Sequence, residues 1–263
     1  MSKKAIKLPF IKQYTLYDKI TGKNNVIRTL IKGKWRNIIT KPKDTTFFIT
    51  GDNNVINFHF KTKSLPKGLN LKIKGSNNVI DIYKASFENT LIRTYRDNSR
   101  LEIKEQCRPI VNAHIFVSYG GSMFIGKDCE LNNGGLELIV HGDYKEKHKL
   151  IIGDDVRIAK DAIIRTSDGQ SLLDPETMIP LDPPEDVIIG NHVWIMSRCT
   201  ILKGTHLPDG CAVAANSLVN KKFEEKNLLI CGTPAKIMRR NIRWGEAYGK
   251  EMERVHGENI KTN

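Results

Sequence analysis

The 263-residue sequence lacks any long apolar run. No stretch approaches the roughly 18 consecutive apolar residues that a membrane-spanning helix requires. The N-terminal residues 1–7 are basic, but neither an apolar segment nor a small-residue cleavage site follows them, so we expect no secretory signal. With 40% hydrophobic and 27% charged residues, the composition is that of a folded chain and excludes wholesale disorder.

Cysteine is also scarce, and its spacing carries no motif. The five cysteines are odd in number and none has CxxC spacing: Cys107, Cys129, Cys199, Cys211 and Cys231. Neither a metal site nor a disulfide framework is therefore predicted. We interpret the thiols as buried side chains in a reducing cytoplasm.

Negative charge is in short supply, with 29 Asp and Glu against 42 Lys and Arg, a net charge of +13. Such a surplus concentrates anions, which here could be nucleic acid, an anionic membrane, an acidic polysaccharide or a phosphorylated cofactor. Much of it lies in the first hundred residues: Lys32, Lys34, Arg36, Lys41, Lys43, Lys61, Lys63, Lys67, Lys72 and Lys74. No helix-turn-helix, zinc finger or RNP-type aromatic pair accompanies these lysines, so nucleic acid is not expected as a partner.

A six-residue repeat is the strongest signal in the chain. Aliphatic residues recur at every sixth position: Ile189, Ile195, Ile201, Leu207, Val213 and Val219. Small or β-branched residues follow four positions later: Val193, Cys199, Thr205, Cys211 and Ser217. Two earlier blocks show the same six-residue spacing: Ile152, Ile158 and Ile164, and before them Ile125 and Leu131. This period fits neither a helix nor a two-sided strand, but it is typical of a parallel β-helix in which each hexad is a short strand plus a corner.

Three looser copies of a Gly-x-Asn-Asn-Val-Ile unit, at residues 22–27, 51–56 and 75–80, predict further and wider coils before the hexads. We expect irregular β coils over 1–120, a regular β-helix over 121–232 with a loop at 166–186, and a helical cap over 233–263. The cap is predicted because Lys236–Arg240 and Gly245–Val255 have mixed charge and no hexads.

The segment Ile189–Ile195, the hexads that follow it and Cys231–Lys236 resemble the hexapeptide-repeat acyltransferases. The resemblance covers Ile125–Arg240 and lies in the branch of galactoside, xenobiotic and capsular-polysaccharide O-acetyltransferases. It implies an all-β, left-handed parallel β-helix with looser N-terminal coils, a protruding active-site loop and a C-terminal helix. The left-handedness is taken from the family alone, because parallel β-crossovers are normally right-handed.

The resemblance also implies a reaction. Acetyl-CoA would be the donor, without a metal, in a homotrimer whose active sites lie between neighbouring β-helices. An acceptor hydroxyl would attack the thioester directly. The favoured acceptor is an anionic polysaccharide of a bacterial surface, such as a capsule. A small sugar or other small molecule is the alternative acceptor, and a non-catalytic polysaccharide-binding β-helix is the alternative from another class.

One position departs from the family pattern. Relatives commonly carry Ser-Asp-Gly-His in the active-site loop, with the histidine as general base, whereas residues 167–170 read Ser-Asp-Gly-Gln. An amide cannot usefully take a proton near pH 7. Three explanations stay open: a deliberate exchange of histidine for Gln170, a natural variant of low activity, or a different base among His141, His192 and His206. We favour an acetyltransferase scaffold from which the usual base is absent.

The resemblance assigns further site residues position by position. The catalytic positions are Gln170 and Trp194, whose indole would wall the acyl site, and the acceptor positions are Asn132 and Asp168. Small side chains beside the pantetheine arm and polar or cationic ones at the nucleotide phosphates would bind the cofactor: Ser197, Ala215, Asn220, Lys221, Lys236 and Arg239. The proline-rich stretch 171–186 is predicted to be a functional loop over the site. The polar run between His141 and His148 is interpreted as a surface loop.

Overall fold

A computed structural model gives the fold and describes residues 14–15, 20–43, 45–131, 134–142 and 146–245. These residues form strands, turns and loops, and none of them is helical. Nor does any helix suited to crossing a membrane occur among them. The strands, in chain order, are β1 Tyr14–Thr15, β2 Ile20–Thr21, β3 Val26–Ile31, β4 Lys34–Asn37, β5 Thr40–Lys41, β6 Phe47–Thr50, β7 Val55–Phe58, β8 Leu69–Lys74, β9 Val79–Ile82, β10 Phe87–Glu88, β11 Thr90–Tyr95, β12 Arg100–Ile103, β13 Ile110–Val111, β14 Ala113–Ser118, β15 Ser122–Ile125, β16 Leu136–His141, β17 Lys149–Ile152, β18 Arg157–Ile158, β19 Ile163–Arg165, β20 Val187–Ile189, β21 Trp194–Ile195, β22 Thr200–Ile201, β23 His206–Leu207, β24 Ala212–Val213, β25 Leu218–Val219, β26 Leu229–Gly232 and β27 Ala235–Arg239.

The strands stack into the three faces of a β-helical prism. Face 1 has the order β2-β6-β8-β11-β14-β16-β19-β22-β25, and face 2 has the order β23-β20-β17-β15-β12-β9-β7-β3-β4. Face 3 is β18-β21-β24-β26-β27, preceded in earlier coils by the pair β10-β13. The pairs within these faces are parallel except for the end pairs β3-β4 and β26-β27. Faces 1 and 2 run from the first coils to the last and enclose one apolar core.

Coil length shortens along the chain. In the first coils, equivalent corner residues in hydrogen-bond contact are 29, 24 and 21 positions apart, namely Asn25–Asn54, Asn54–Asn78 and Asn78–Ser99. In the last coils the corner contacts Asn191–Asp209 and Arg198–Asn216 each span 18 residues. Three hexads therefore make one coil, one for each face. The wider N-terminal coils explain why the hexad phase is not visible there.

The predicted interior is confirmed. All six aliphatic residues of the main hexad column are at most 1% exposed. The second-position residues are buried as well, with at most 2% exposure, because a small side chain fits inside the corner. The column excludes water along the whole axis, and burial on this scale, at about 25 cal/mol per Å² of apolar surface, is what stabilises an array of such short strands.

Two expectations about the C-terminal part and the thiols are wrong. Lys236–Arg240 is not helical, because Ala235–Arg239 form β27, antiparallel to β26. Along this strand Ala235 is buried and Ile237 is half-buried. The alternate residues, Lys236 and Met238, are exposed. This alternation of period two fits a strand against face 3. The predicted helix Gly245–Val255 lies outside the described residues beyond its first residue.

The cysteines are free, and Cys129, Cys199 and Cys211 are buried. Cys107, however, is exposed, and its Sγ lies 2.8 Å from Asp128 Oδ1. That thiol stands on a turn outside the apolar column. The interpretation of all five thiols as buried is therefore corrected at this position, and also at Cys231, which is half-buried.

Candidate active site

A hairpin projects from the corner between faces 1 and 2. The coil that carries it is longer than its successor: the corner contact Asp154–Asn191 spans 37 residues, against 18 for Asn191–Asp209 in the next coil. The extra residues lie between β19 and β20, where Glu185 N donates to the carbonyl of Thr166 at 3.0 Å and closes the neck of the insertion. Above the neck, a backbone hydrogen bond of 2.8 Å joins residues 172 and 181, and the chain turns back between them. The predicted loop at 166–186 is thus an ordered, protruding hairpin.

Lys203 fastens this hairpin to the next coil. Its Nζ lies 2.7 Å from Asp168 Oδ2 and 2.9 Å from Asp182 Oδ2, and it donates to Asp182 O at 2.7 Å. The Lys203 side chain is 16% exposed. The hydrogen bond from Lys203 holds the pKa of Asp182 below its ordinary value, despite an opposing effect of desolvation. Asp168, assigned to the acceptor from the family pattern, therefore belongs to the anchor of the hairpin.

Gln170 lies exposed on the outgoing limb of the hairpin, four residues after Thr166. Gly169 N donates to Ser167 Oγ at 3.1 Å, which forms a tight turn just before the glutamine. Trp194 stands on β21 of face 3, beyond the next corner of the same coil. Within one chain, the two predicted catalytic positions are thus on different sides of the prism.

His141 lies beside the neck of the hairpin, at the end of β16. Its backbone N donates to Thr166 Oγ1 at 3.0 Å, and that hydroxyl donates to His141 O at 3.2 Å. The half-buried imidazole packs edge-on against Phe116, with centroids 5.3 Å apart, and lies 6.4 Å from the ring of Tyr119. Burial, and then the nearby Arg165 charge, lower the pKa of His141 below its ordinary value. His148, on the other side of the polar run, is buried at 7% exposure, whereas Glu146 and Lys147 within the run are exposed.

His192 and Trp194 form a second cluster with Trp244. Nδ1 of His192 lies 2.6 Å from Asp155 Oδ2, and its ring stacks on Trp244 with centroids 3.9 Å apart. Nε2 of His192 is 3.2 Å from the Trp244 carbonyl, and the Trp244 indole donates to His192 O at 3.0 Å. The Trp194 and Trp244 rings are 6.0 Å apart. Sequence reasoning missed Asp155 and Trp244, because they are 37 and 52 residues from His192 and no spacing motif links them.

The assigned cofactor residues fall into two groups. Ser197 and Ala215 occupy the corner between faces 3 and 1 in successive coils, and Lys236 follows on β27 close by, with Arg239 at the end of that strand. Asn220 and Lys221 lie instead at the corner between faces 1 and 2, one coil above Lys203. All are exposed except Ser197, which is half-buried. Asn132 lies outside the described residues.

The outer surface of face 1 carries a basic and aromatic patch, which we call the basic–aromatic face. Its members are Lys72, Lys74, Arg93, Tyr95, Phe116 and Arg165. Register pairs place Lys72 beside Arg93, Arg93 beside Phe116, and Phe116 beside Ile139, which in turn lies beside Arg165. The Arg93 guanidinium lies 4.7 Å over the Phe116 ring. Nε of Arg165 is buried and has no hydrogen-bond partner among the residues that the structure describes.

Sequence reasoning noted the excess charge but not this alignment. The outward positions of a single strand can be read from its alternation, whereas the register between coils of unequal length cannot. The patch ends at Arg165, immediately before the neck of the hairpin. It therefore joins the N-terminal coils to the candidate active site along one face.

Comparison with characterised proteins shows the family to which this β-helix belongs. A polysialic acid O-acetyltransferase of Neisseria meningitidis is 34% identical over 191 residues, which cover 65% of this chain and 87% of that protein. The chain belongs to the hexapeptide-repeat acyltransferases. Within that family it lies in the branch of capsular O-acetyltransferases, and it is an O-acetyltransferase. No protein-family profile matches the chain.

Other hexapeptide-repeat acyltransferases extend the likeness. A polysialic acid O-acetyltransferase of Escherichia coli O1:K1 is 28% identical over 142 residues, which cover 54% of this chain and 44% of that protein. Among solved structures, the polySia-specific acetyltransferase NeuO superposes with a TM-score of 0.62 at 24% identity, over 92% of this chain and 99% of that one. At that identity the superposition shows the fold, a left-handed β-helix, which confirms the predicted fold class.

Proposed function

We propose that this enzyme transfers the acetyl group of acetyl-CoA to a hydroxyl of an anionic polysaccharide on a bacterial surface. The observation that carries the proposal is the basic–aromatic face, which leads along the prism to the hairpin bearing Gln170. Two relatives are named for acetylation of polysialic acid, which is a polyanion.

The basic–aromatic face has the dimensions and chemistry of a polymer site. From Lys72 to Arg165 it crosses five strands, or about 19 Å at ~4.8 Å per strand. Arginine and lysine form charge-assisted hydrogen bonds with carboxylates, and an aromatic ring supplies a flat apolar surface for the C–H faces of a sugar. A monosaccharide would leave most of this face unused, so the geometry favours a chain of sugars.

The donor site is proposed to lie between neighbouring copies of the chain in a homotrimer. In a single prism Ser197 and Ala215 lie at one corner of face 1, and Asn220 and Lys221 lie at the other. Two copies that meet corner to corner would bring these groups together. Small side chains would then flank the pantetheine arm, and Lys221 would meet the nucleotide phosphates.

The hairpin supports this assembly because its tip is apolar and exposed. The large hydrophobic side chains there are between 40% and 64% exposed: Leu172, Leu173, Met178, Ile179 and Leu181. Contiguous exposed apolar surface of this kind marks an interaction site. We propose that a neighbouring copy covers it. The donor and the unpaired buried thiols fit a cytoplasmic enzyme.

The chemistry is direct acyl transfer. The acceptor oxygen attacks the thioester carbonyl, the C–S bond breaks, and the CoA thiolate leaves. In this scheme Gln170 can orient the acceptor or the thioester by hydrogen bonding, but the proton of the acceptor hydroxyl must go to another group.

Acetyl transfer from radiolabelled acetyl-CoA tests the proposal. The acceptor panel consists of polysialic acid, a second carboxylated polysaccharide, a neutral polysaccharide of similar length, and the corresponding free monosaccharides. We expect label in an anionic polymer and little in the neutral polymer or the monosaccharides. Preferential labelling of monosaccharides would favour the small-molecule alternative. Absence of acetyl-CoA binding by calorimetry would favour a non-catalytic polysaccharide-binding β-helix.

A further inference from the structure

We infer that His141 is the general base of this acetyltransferase and takes the proton of the acceptor hydroxyl that Gln170 cannot accept. The inference rests on the proposed function, since it assigns a residue to that reaction. It depends on three observations: the position of His141, the accessibility of its ring, and the chemistry of its surroundings.

The position of His141 is fixed at the root of the hairpin. Two hydrogen bonds join its backbone to the hydroxyl of Thr166, as described above, and Gln170 follows Thr166 by only four residues. Extension of the β16–β19 register beyond Ile139 and Arg165 sets His141 level with Ser167, the first residue of the Ser-Asp-Gly-Gln turn. The imidazole is thus one coil below the position where relatives carry their base.

His141 also lies at the end of the basic–aromatic face. Its ring packs against Phe116, which is the aromatic centre of that face, and the adjacent strand carries Arg165. A polysaccharide bound along the face would present its hydroxyls to this ring before reaching the hairpin. The same side chains would therefore hold the acceptor and place its hydroxyl beside the base.

The ring nitrogens of His141 are available. Within the described residues the imidazole makes aromatic contacts with Phe116 and Tyr119 but no hydrogen bond, and neither nitrogen is among the buried polar atoms that lack a partner. In the described part of the chain each nitrogen is thus unengaged, and the half-buried ring keeps part of its surface exposed. Edge-on packing against Phe116 fixes the orientation of the ring without occupying its nitrogens.

The surroundings favour the neutral imidazole that a base requires. The titratable or charged groups facing it in the described part of the chain are Arg165 from β19 and Tyr119 after β14, and no carboxylate is among them. Partial burial and the Arg165 charge both disfavour the protonated form. At pH 7 most of His141 is therefore unprotonated and ready to accept a proton.

The other candidate histidines are less suitable. Both nitrogens of His192 are engaged, one by Asp155 and the other by the Trp244 carbonyl. His206 lies on β23 of face 2, beside Lys222, on the far side of the corner from the basic–aromatic face. Neither residue combines a free nitrogen with access to that face.

The step balances as an acid–base cycle. The acceptor oxygen forms a bond to the thioester carbonyl carbon while its proton passes to His141. Collapse of the tetrahedral intermediate breaks the C–S bond, and the imidazolium then returns the proton to the departing CoA thiolate. No further reagent is needed.

The test compares His141→Gln, Gln170→His and the double variant with the unchanged enzyme, using acetyl-CoA and the best anionic polymer. Loss of a general base costs about 10²–10⁴-fold in kcat. We expect that loss for His141→Gln, with unchanged calorimetric affinity for CoA. We expect Gln170→His to restore much of the lost turnover in the double variant, because it supplies a base on the hairpin. Misfolding could not be rescued in this way.

Two controls and one spectroscopic measurement complete the test. His59→Gln removes another aromatic-packed imidazole, stacked on Tyr83 at 4.1 Å in an N-terminal coil, and His206→Gln removes a rejected candidate. Both should leave turnover nearly unchanged. NMR titration should give His141 a pKa below about 6.5, matching the acid limb of the kcat/KM profile.

Each contrary result has a distinct meaning. Full activity of His141→Gln, or loss of activity in His206→Gln instead, would overturn the inference and leave the proposed function intact. An unchanged enzyme without turnover beside an active Gln170→His variant would also overturn it, since His141 would then be no base. No transfer to any polymer by either protein would overturn the proposed function itself.

Discussion

The side-chain amide of Asn78 donates a 2.9 Å hydrogen bond to Oδ1 of Asn54 in the preceding coil. Asn54 makes the same 2.9 Å bond to Asn25 one coil earlier, and it also donates to the carbonyl of Gly75 at 2.8 Å. Asn54 and Asn78 are essentially fully buried. The repeated Gly-x-Asn-Asn-Val-Ile unit is therefore a polar ladder inside one corner, which holds coils of unequal length in register.

We predict that Asn54→Ala lowers the free energy of unfolding by about 2–4 kcal/mol, because it orphans the Asn78 amide and the Gly75 carbonyl in the interior. Denaturant unfolding followed by circular dichroism measures the change. Asn53→Gly is the matched control, since Asn53 belongs to the exposed outer ladder and has φ of 56°, which glycine adopts readily. An equal loss in both variants would contradict a specific role for the buried ladder.

The regular half of the fold follows from sequence because its geometry is repetitive. Once the period is six, the aliphatic column from Ile189 to Val219 must point inward, and the structure places it there. The N-terminal units were also recognisable, but the unequal coils that join them were not, since loops of variable length absorb the difference. The strand at Lys236 escaped detection because a two-stranded end pair leaves only a short stretch of alternation.

The site was less predictable, because its contacts join distant coils. In the sequence nothing distinguishes Lys203 from an ordinary surface lysine. In the structure it holds both limbs of the hairpin through Asp168 and Asp182. Packing of His141 against Phe116 depends on the register between β14 and β16, which no motif encodes. The family pattern pointed to Gln170 as a departure, but a pattern cannot say which neighbouring side chain compensates.

Removal of the Lys203 anchor should loosen the hairpin. We expect Lys203→Met to lower kcat/KM for the polymer by on the order of 10–100-fold, through misplacement of Gln170 and its turn. The variant should also be cut faster by protease within residues 167–186. Lys226→Met breaks a similar pair with Asp209, at 2.8 Å on an exposed corner, and should change neither quantity. Equal behaviour of the two variants would argue against the anchor.

Acid should release the same anchor. The Lys203 hydrogen bond lowers the pKa of Asp182 in the folded chain relative to its ordinary value near 3.8. The pairing of Lys203 with Asp182 is therefore fully present at pH values above the ordinary pKa of 3.8. It is lost as the pH falls through the lower pKa that Asp182 has in the folded chain. Hydrogen exchange at residues 167–186, expressed relative to the intrinsic rate at each pH, should stay slow from about pH 7 to pH 5 and accelerate only below about pH 4. Acceleration already in the neutral range would assign the protection to another group.

Charge on the basic–aromatic face should determine polymer affinity. The double variant Lys72→Gln, Arg93→Gln should raise KM for an anionic polysaccharide by at least about tenfold, since each lost charged hydrogen bond is worth ~1.5–3 kcal/mol. KM for acetyl-CoA should not change, and the salt dependence of polymer binding should weaken. Lys84→Gln removes one charge at an exposed site paired with Glu105, away from face 1, and serves as the control. A similar KM increase in the Lys84→Gln variant would indicate that net charge alone determines the affinity for the polymer.

The apolar hairpin tip should determine assembly. If a neighbouring copy covers Ile179 and Leu181, which are 61% and 64% exposed in the single chain, then a carboxylate at either position would be buried without a partner. We expect Ile179→Asp to convert a particle of three 29.8 kDa chains into single chains, as measured by light scattering, and to abolish transfer. Asn241→Asp adds the same charge at an exposed turn with φ of 53° and should leave the mass unchanged. A monomeric parent protein, or a trimeric Ile179→Asp variant, would show that this tip is not the contact, and the apolar residues would then have to be explained by the acceptor.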